Sequence, residues 1–244
     1  MTTVNPPFSN PQSVLAIVAH PDDAEFQCGA TLAKWAAGGT IVHHLVCTDG
    51  SKGTWDPDAD QVALIATRKA EQQAAARRLD SKGSVIFLDQ VDGELQSDLA
   101  MRSEVSRVIR QLRPQIVIGH DPWTRYRLHP DHRHAGLLAV EGIVAARDPF
   151  FFPEHGLEPH RPDGLLLFEA EEPDHAEDTK GWESTKTAAL LEHRSQFETT
   201  HQIQDPNDPA EIKAFESRVR AELKRLAEPF GLDSAEVFKA IIDL

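Results

Sequence analysis

The sequence predicts an α/β protein built on a mainly parallel sheet covered by helices on both faces, and three observations carry that reading. Short apolar runs bounded by polar clusters recur at residues 14–19, 41–47, 85–88, 115–119 and 165–168, as expected for strands buried on both faces. Helix-length segments at 29–37, 61–79, 99–112 and 132–147 fall between them. Strand and helix therefore alternate, which implies βαβ units, and 244 residues suffice for one large domain of this kind. Such a sheet opens its ligand crevice beyond the carboxyl ends of the strands, so the polar residues just after each strand are the ones to read.

In chain order, the first strand ends at His20, Asp22 and Asp23, and the second at Thr48 and Asp49. The second also contains His43 and His44, at least one of which alternation turns into packing. The third ends at Asp89 and Asp92, and the fourth at His120 and Asp121, where loop polarity is as good an explanation as function. After the fifth strand, residues 169–178 are acidic and read as a surface loop, followed by a helix over 182–193 and a linker over 204–209. Residues 210–226 and 234–242 read as two amphipathic helices. The expected organisation is an α/β domain over 1–200 and a helical extension over 201–244, packed on that domain or at an oligomer contact. There is no internal repeat.

Charge narrows the partners. Lys and Arg number 25 against 39 Asp and Glu, a net −14, which argues against nucleic acid and anionic membrane surfaces. Mean hydropathy is −0.40, and no run approaches the roughly 18 apolar residues of a membrane helix. Residues 1–12 lack the basic start and apolar stretch of an export signal, and Cys28 and Cys47 are the only cysteines, so a cytoplasmic setting is expected. Neither a P-loop nor a Gly-x-Gly-x-x-Gly after the first strand supports nucleotide binding.

Two clusters carry chemistry. Ala19-His20-Pro21-Asp22-Asp23 gathers an imidazole and two carboxylates at the first strand end. One Asp would suffice to cap the following helix, and the remainder points to a divalent ion or catalysis. His129-Pro130-Asp131-His132-Arg133-His134 opens the helix after the fourth strand, with His129 and His132 spaced to share one side of a turn. The first and fourth strand ends can flank one crevice in a doubly wound sheet, and two His plus one Asp leave a position open, as catalytic zinc sites do.

These two motifs, in this order, resemble the zinc-dependent N-acetylglucosaminyl deacetylases of the PIG-L/LmbE type. Further matches are Thr48-Asp49-Gly50 with Gly53, Arg68 with Glu71, Asp92-Gly93-Glu94-Leu95, and Lys186 through His193-Arg194-Ser195-Gln196, so the resemblance spans roughly residues 14–197. It implies a Rossmann-like fold with His20, Asp23 and His132 on the metal, Asp22 as general base, His129 as acid or oxyanion stabiliser, and Asp131 tuning a histidine. It also implies Arg68 and Asp92 at the sugar. Departures are Gln27 and Ala30, where members often carry Gly, and Arg127, where some carry an active-site Tyr that here stands one residue back as Tyr126.

The expected activity is hydrolysis of an N-acetyl or related acyl group from a 2-amino sugar, with Zn2+, or Fe2+ as the alternative ion, and a small-molecule substrate. The chain is expected to form a homo-oligomer or remain alone, with no nucleic acid or membrane partner. A metal-dependent phosphoesterase and a non-catalytic, metal-containing carbohydrate-binding protein are the competing readings.

Overall fold

The computed structural model describes residues 8–242 and Leu244. The reading of the amino terminus as lacking an export signal falls, over residues 1–7, outside the described residues.

Five parallel strands form the centre: β1 (Ser13–Val18), β2 (Ile41–Thr48), β3 (Val85–Gln90), β4 (Ile116–His120) and β5 (Gly164–Phe168). The helices α1 (Asp23–Ala37), α2 (Gln61–Arg78), α3 (Leu99–Leu112) and α4 (Pro130–Arg147) alternate with them. After β5 come β6 (His175–Asp178), α5 (Glu183–Leu190), α6 (Pro209–Ala227) and β7 (Ala235–Ile242). Sheet order is β3-β2-β1-β4-β5-β7-β6, with β7 antiparallel to both neighbours. The chain thus reverses direction across the sheet between β1 and β4, placing a crevice there.

Alternation along each strand sends apolar side chains to both faces. Val14, Ala16 and Val18 of β1 pack with Leu32 and Trp35 of α1 and with Leu79, the C-cap of α2. Leu15 and Ile17 pack on the other face with Val105 and Ile109 of α3 and Leu138 and Ile143 of α4. Cys28 lies in the first of these cores and Cys47 in the second, both as free buried thiols, so the sheet stands between them.

Two expectations are corrected. Of residues 234–242, Ala235–Ile242 are strand β7, not a helix, because pairing with β5 and β6 satisfies their backbone and buries Ala235 and Phe238. Residues 169–178 are not wholly a surface loop, since His175–Asp178 form β6 on the far side of β7. The C-terminal segment is therefore helix and strand, and its strand belongs to the central sheet.

β7 also shapes α1. That helix breaks at Cys28 (φ −142°, ψ 16°), which frees backbone groups on either side. Glu236 of β7 accepts from Ala30 N–H (3.1 Å) and Thr31 N–H (2.7 Å). Lys186 of α5 donates to Phe26 C=O (2.5 Å) and pairs with Glu236 (2.6 Å). A buried ion pair thus caps both sides of the break, five residues beyond the end of the turn that carries Asp22 and Asp23.

Candidate metal centre

The first motif forms a tight turn at the end of β1, closed by Asp23 N–H to His20 C=O (3.3 Å). Pro21 takes its second position and Asp22 its third, with φ 109° and ψ −25°. Those are the angles of a type II corner, which favours Gly because a Cβ strains it. Asp22 makes no side-chain cap to α1, so capping does not explain it.

Three donor side chains meet beside this turn. His20 Nδ1 lies 3.2 Å from His132 Nε2 and 3.4 Å from Asp23 Oδ2, and His132 Nε2 lies 3.3 Å from Asp23 Oδ1. Each separation is close to the roughly 3.3 Å between ligands bound tetrahedrally at about 2.0–2.1 Å, although the two histidines face different oxygens of Asp23. Both oxygens of Asp23 face the centre, one toward each histidine. All three residues are buried.

Supporting carboxylates hold the histidines. His20 Nε2 faces Asp131 Oδ2 (3.2 Å) and Asp92 Oδ1 (3.3 Å), leaving Nδ1 for the centre. Asp131 is fully buried and accepts from Gly93 N–H (2.6 Å) and Leu95 N–H (3.2 Å). Burial works against a charge on His20, but Asp131, Asp23 and Asp92 outweigh it and raise its pKa well above the ordinary value. Burial would likewise raise Asp23, yet His132 and His120 hold it well below the carboxylate range.

Asp22 behaves differently. Burial pushes its carboxyl up to about 6, against the opposing pull of Arg68. Arg68 of α2 places Nη2 3.5 Å from Asp22 Oδ2 and Nη1 3.9 Å from Asp92 Oδ2. The same guanidinium donates to Gly50 C=O (2.9 Å) and Pro21 C=O (2.7 Å). Gly50 (φ 68°) makes room for it, since a Cβ there would lie 2.7 Å from Nη1. Arg68 and Asp92 are both buried.

His129 is the N-cap of α4, accepting from Asp131 N–H through Nδ1 (3.3 Å) with Pro130 in the first turn. It is exposed, and its ring stands 4.5 Å from that of His20. Burial and the neighbouring His20 and His132 lower its pKa. Tyr126 is 91% exposed, whereas Arg127 Nε reaches His132 Nδ1 (3.0 Å) and its Nη2 pairs with Glu169 (3.0 Å).

The residues singled out in the sequence therefore converge at one place. Two more join them that sequence reasoning did not select. His120, at the end of β4, sets Nε2 3.4 Å from Asp23 Oδ2 and Nδ1 3.3 Å from Glu169 Oε2, and donor atoms of Asp23, His120 and His132 fall within 4.8 Å of one another. Burial would raise Glu169, but His120 and His132 draw its carboxyl down to about 2. His120 ends β4 and Glu169 directly follows β5, so the strand-end rule was the available signal.

Similarity to known proteins agrees with this geometry. The PIG-L family profile, described as GlcNAc-PI de-N-acetylase, matches residues 15–143. A diacetylchitobiose deacetylase of Thermococcus kodakarensis is 36% identical over 197 residues, 80% of this chain and 73% of that protein. A 1D-myo-inositol 2-acetamido-2-deoxy-alpha-D-glucopyranoside deacetylase of Catenulispora acidiphila is 28% identical over 169 residues, 59% of this chain and 51% of its own. The structure of N,N'-diacetylchitobiose deacetylase from Pyrococcus horikoshii, complexed with an inhibitor, aligns with a TM-score of 0.87 at 29% identity, covering 98% of this chain and 87% of that one. With the family profile spanning more than half of its length and the fold shared nearly end to end, this chain belongs to the PIG-L family.

Proposed function

We propose that this protein is a zinc-dependent hydrolase that removes the N-acetyl group from a 2-acetamido sugar or its conjugate. The observation that carries the reading is the meeting of the His20, Asp23 and His132 side chains with a separate buried carboxylate, Asp22, beside them. Two acids of one turn thus have opposite tendencies, one held ionised as a ligand and one raised toward neutrality as a base. The acetylated amino sugars named for the relatives give the substrate class.

His20, Asp23 and His132 would hold a divalent ion, whose Lewis acidity would polarise the amide carbonyl and acidify the attacking water. Asp22 accepts the proton of that water. A carboxyl titrating near 6 is ionised at pH 7 yet more basic than an ordinary one, as a general base requires. His129, at the exposed lip, stabilises the carbonyl oxygen or protonates the departing amine. Asp131 acts through His20, orienting its ring. Arg68 and Asp92 stand at the sugar, and Arg68 also holds Asp22 and Asp92 in place. His120 and Glu169 brace Asp23 and His132.

The phosphoesterase reading is not favoured, since the relatives are named for removing N-acetyl groups from amino sugars. Two free thiols on opposite faces of the sheet accord with a cytoplasmic setting. Among the described residues no helix is long and apolar enough to cross a membrane.

The test is incubation of purified protein with N-acetylglucosamine, diacetylchitobiose and the acetamido-glucosyl inositol, reading acetate and free amine with and without a chelator. Acetate release that stops on chelation and returns with zinc is expected. Full turnover by metal-free protein, or phosphate release from sugar phosphates without any acetate, overturns the reading.

A further inference from the structure

Resting on the reading of Asp22 as the base, we propose that Gln72, oriented by the buried Glu25–His193 pair, is a positioning residue that fixes the peptide on which Asp22 turns. Type I and type II turns differ by a flip of their middle peptide, and type I is the commoner. Here that peptide joins Pro21 to Asp22. Its flipped form would bring Asp22 to a negative φ and tilt the direction in which its carboxylate leaves the backbone.

Helix α2 holds the peptide at both polar ends. Arg68 donates to its carbonyl, Pro21 O (2.7 Å), and Gln72 Oε1 accepts from its amide, Asp22 N–H (2.9 Å). The two side chains are four residues apart, one turn along the same helix face. Because carbonyl and amide of a trans peptide point in opposite directions, a donor and an acceptor one turn apart match one orientation of the plane and oppose the other.

Gln72 alone would not enforce this, since its amide can rotate to present nitrogen where oxygen is needed. Its orientation is set from behind. Gln72 Nε2 donates to Glu25 Oε1 (2.8 Å), and Glu25 Oε2 lies 3.4 Å from His193 Nε2. Glu25, Gln72 and His193 are all fully buried. A carboxylate accepts and cannot donate, so Glu25 keeps the NH2 of Gln72 toward itself and the oxygen toward Asp22. His193, on the loop after α5, gives that buried carboxylate its countercharge. Without this chain, Asp22 N–H would be buried with no acceptor in a turn of strained φ.

The experiment compares wild type, Gln72→Leu and the exchange variant Gln72→Glu/Glu25→Gln. In the exchange variant, the residue-72 carboxylate accepts both from Asp22 N–H and from the residue-25 amide, restoring the chain at unchanged net charge. For Gln72→Leu, kcat should fall about 10²-fold, the effect of roughly 1 Å of misplacement, with KM and zinc per chain unchanged. The exchange variant should recover most of that loss, which a merely space-filling role would not give. Crystal structures provide a readout independent of turnover: Gln72→Leu should show Asp22 moved from φ 109°, and the exchange variant should show it retained. If Gln72→Leu does not fold, the exchange variant decides alone through its kcat and its Asp22 φ. An unmoved Asp22 in Gln72→Leu, or an exchange variant that folds with Asp22 displaced, overturns the inference. Wild type that releases no acetate strikes at the deacetylase reading, while the Asp22 geometry still tests this one.

Discussion

The two chain segments that build the metal centre are made in opposite ways. The turn after β1 is buried, and its central peptide is gripped at both ends by α2. The stretch before α4 is open, with Trp123, Tyr126 and Leu128 largely exposed and His129 at the surface. The difference follows the work each must do. Groups that hold an ion and accept a proton need fixed geometry and a low dielectric, whereas a group that meets the incoming substrate must face outward. Only Asp131 and His132, one and two residues beyond Pro130, return from that open segment to the buried centre.

The strongest way to break this comparison is to exchange the duties of the two neighbouring acids. Asp23→Asn should lose zinc and activity together, because an amide is a poorer ligand. Asp22→Asn should keep zinc and lose about 10²- to 10⁴-fold in kcat. Zinc content per chain with turnover measures both, and the reverse pattern would shift the ligand to Asp22.

His129→Ala probes the open segment. It should lower kcat and change one limb of the pH–rate profile while costing only about 1 kcal/mol of stability, the loss of the α4 N-cap. An unaltered profile would remove His129 from the chemistry. A large loss of stability would show that the lip is not open in the sense drawn here.

The buried side should respond in the other manner. Glu236→Ala strands Lys186 and frees the amides of Ala30 and Thr31, so unfolding free energy should drop by about 3–5 kcal/mol in urea titrations. A loss below about 1 kcal/mol would mean that the break in α1 holds without its ion pair.

The smallest expected effect concerns acid. His201, buried against Phe26 and Phe215, is held neutral by burial, with its pKa lowered to about 4. The unfolded chain takes up that proton near 6.5, so this contribution is full above 6.5 and is lost as pH falls toward 4. It amounts to about 3 kcal/mol at most. His201→Phe should flatten the decline in thermal midpoint over that window, and an unchanged slope would place the acid sensitivity elsewhere.

The sequence by itself determined the five parallel strands, the helices between them and the two motifs at their ends. Those features are local: a doubly buried strand is apolar along its length, and a turn dense in His and Asp has few structural reasons to exist. Residues 234–242 show where locality ends. Their spacing fits an amphipathic helix, and it is pairing with β5 and β6 that makes Ala235–Ile242 β7. The same holds at the centre. His120 and Glu169 look like ordinary polar loop starts until the fold sets them behind Asp23 and His132. Gln72, Glu25 and His193 come from three separate segments, and no spacing within one chain segment reports that an amide, a carboxylate and an imidazole will be buried in line. Tertiary structure decided these because the free energy of a buried polar group depends on which partners the rest of the chain brings to it.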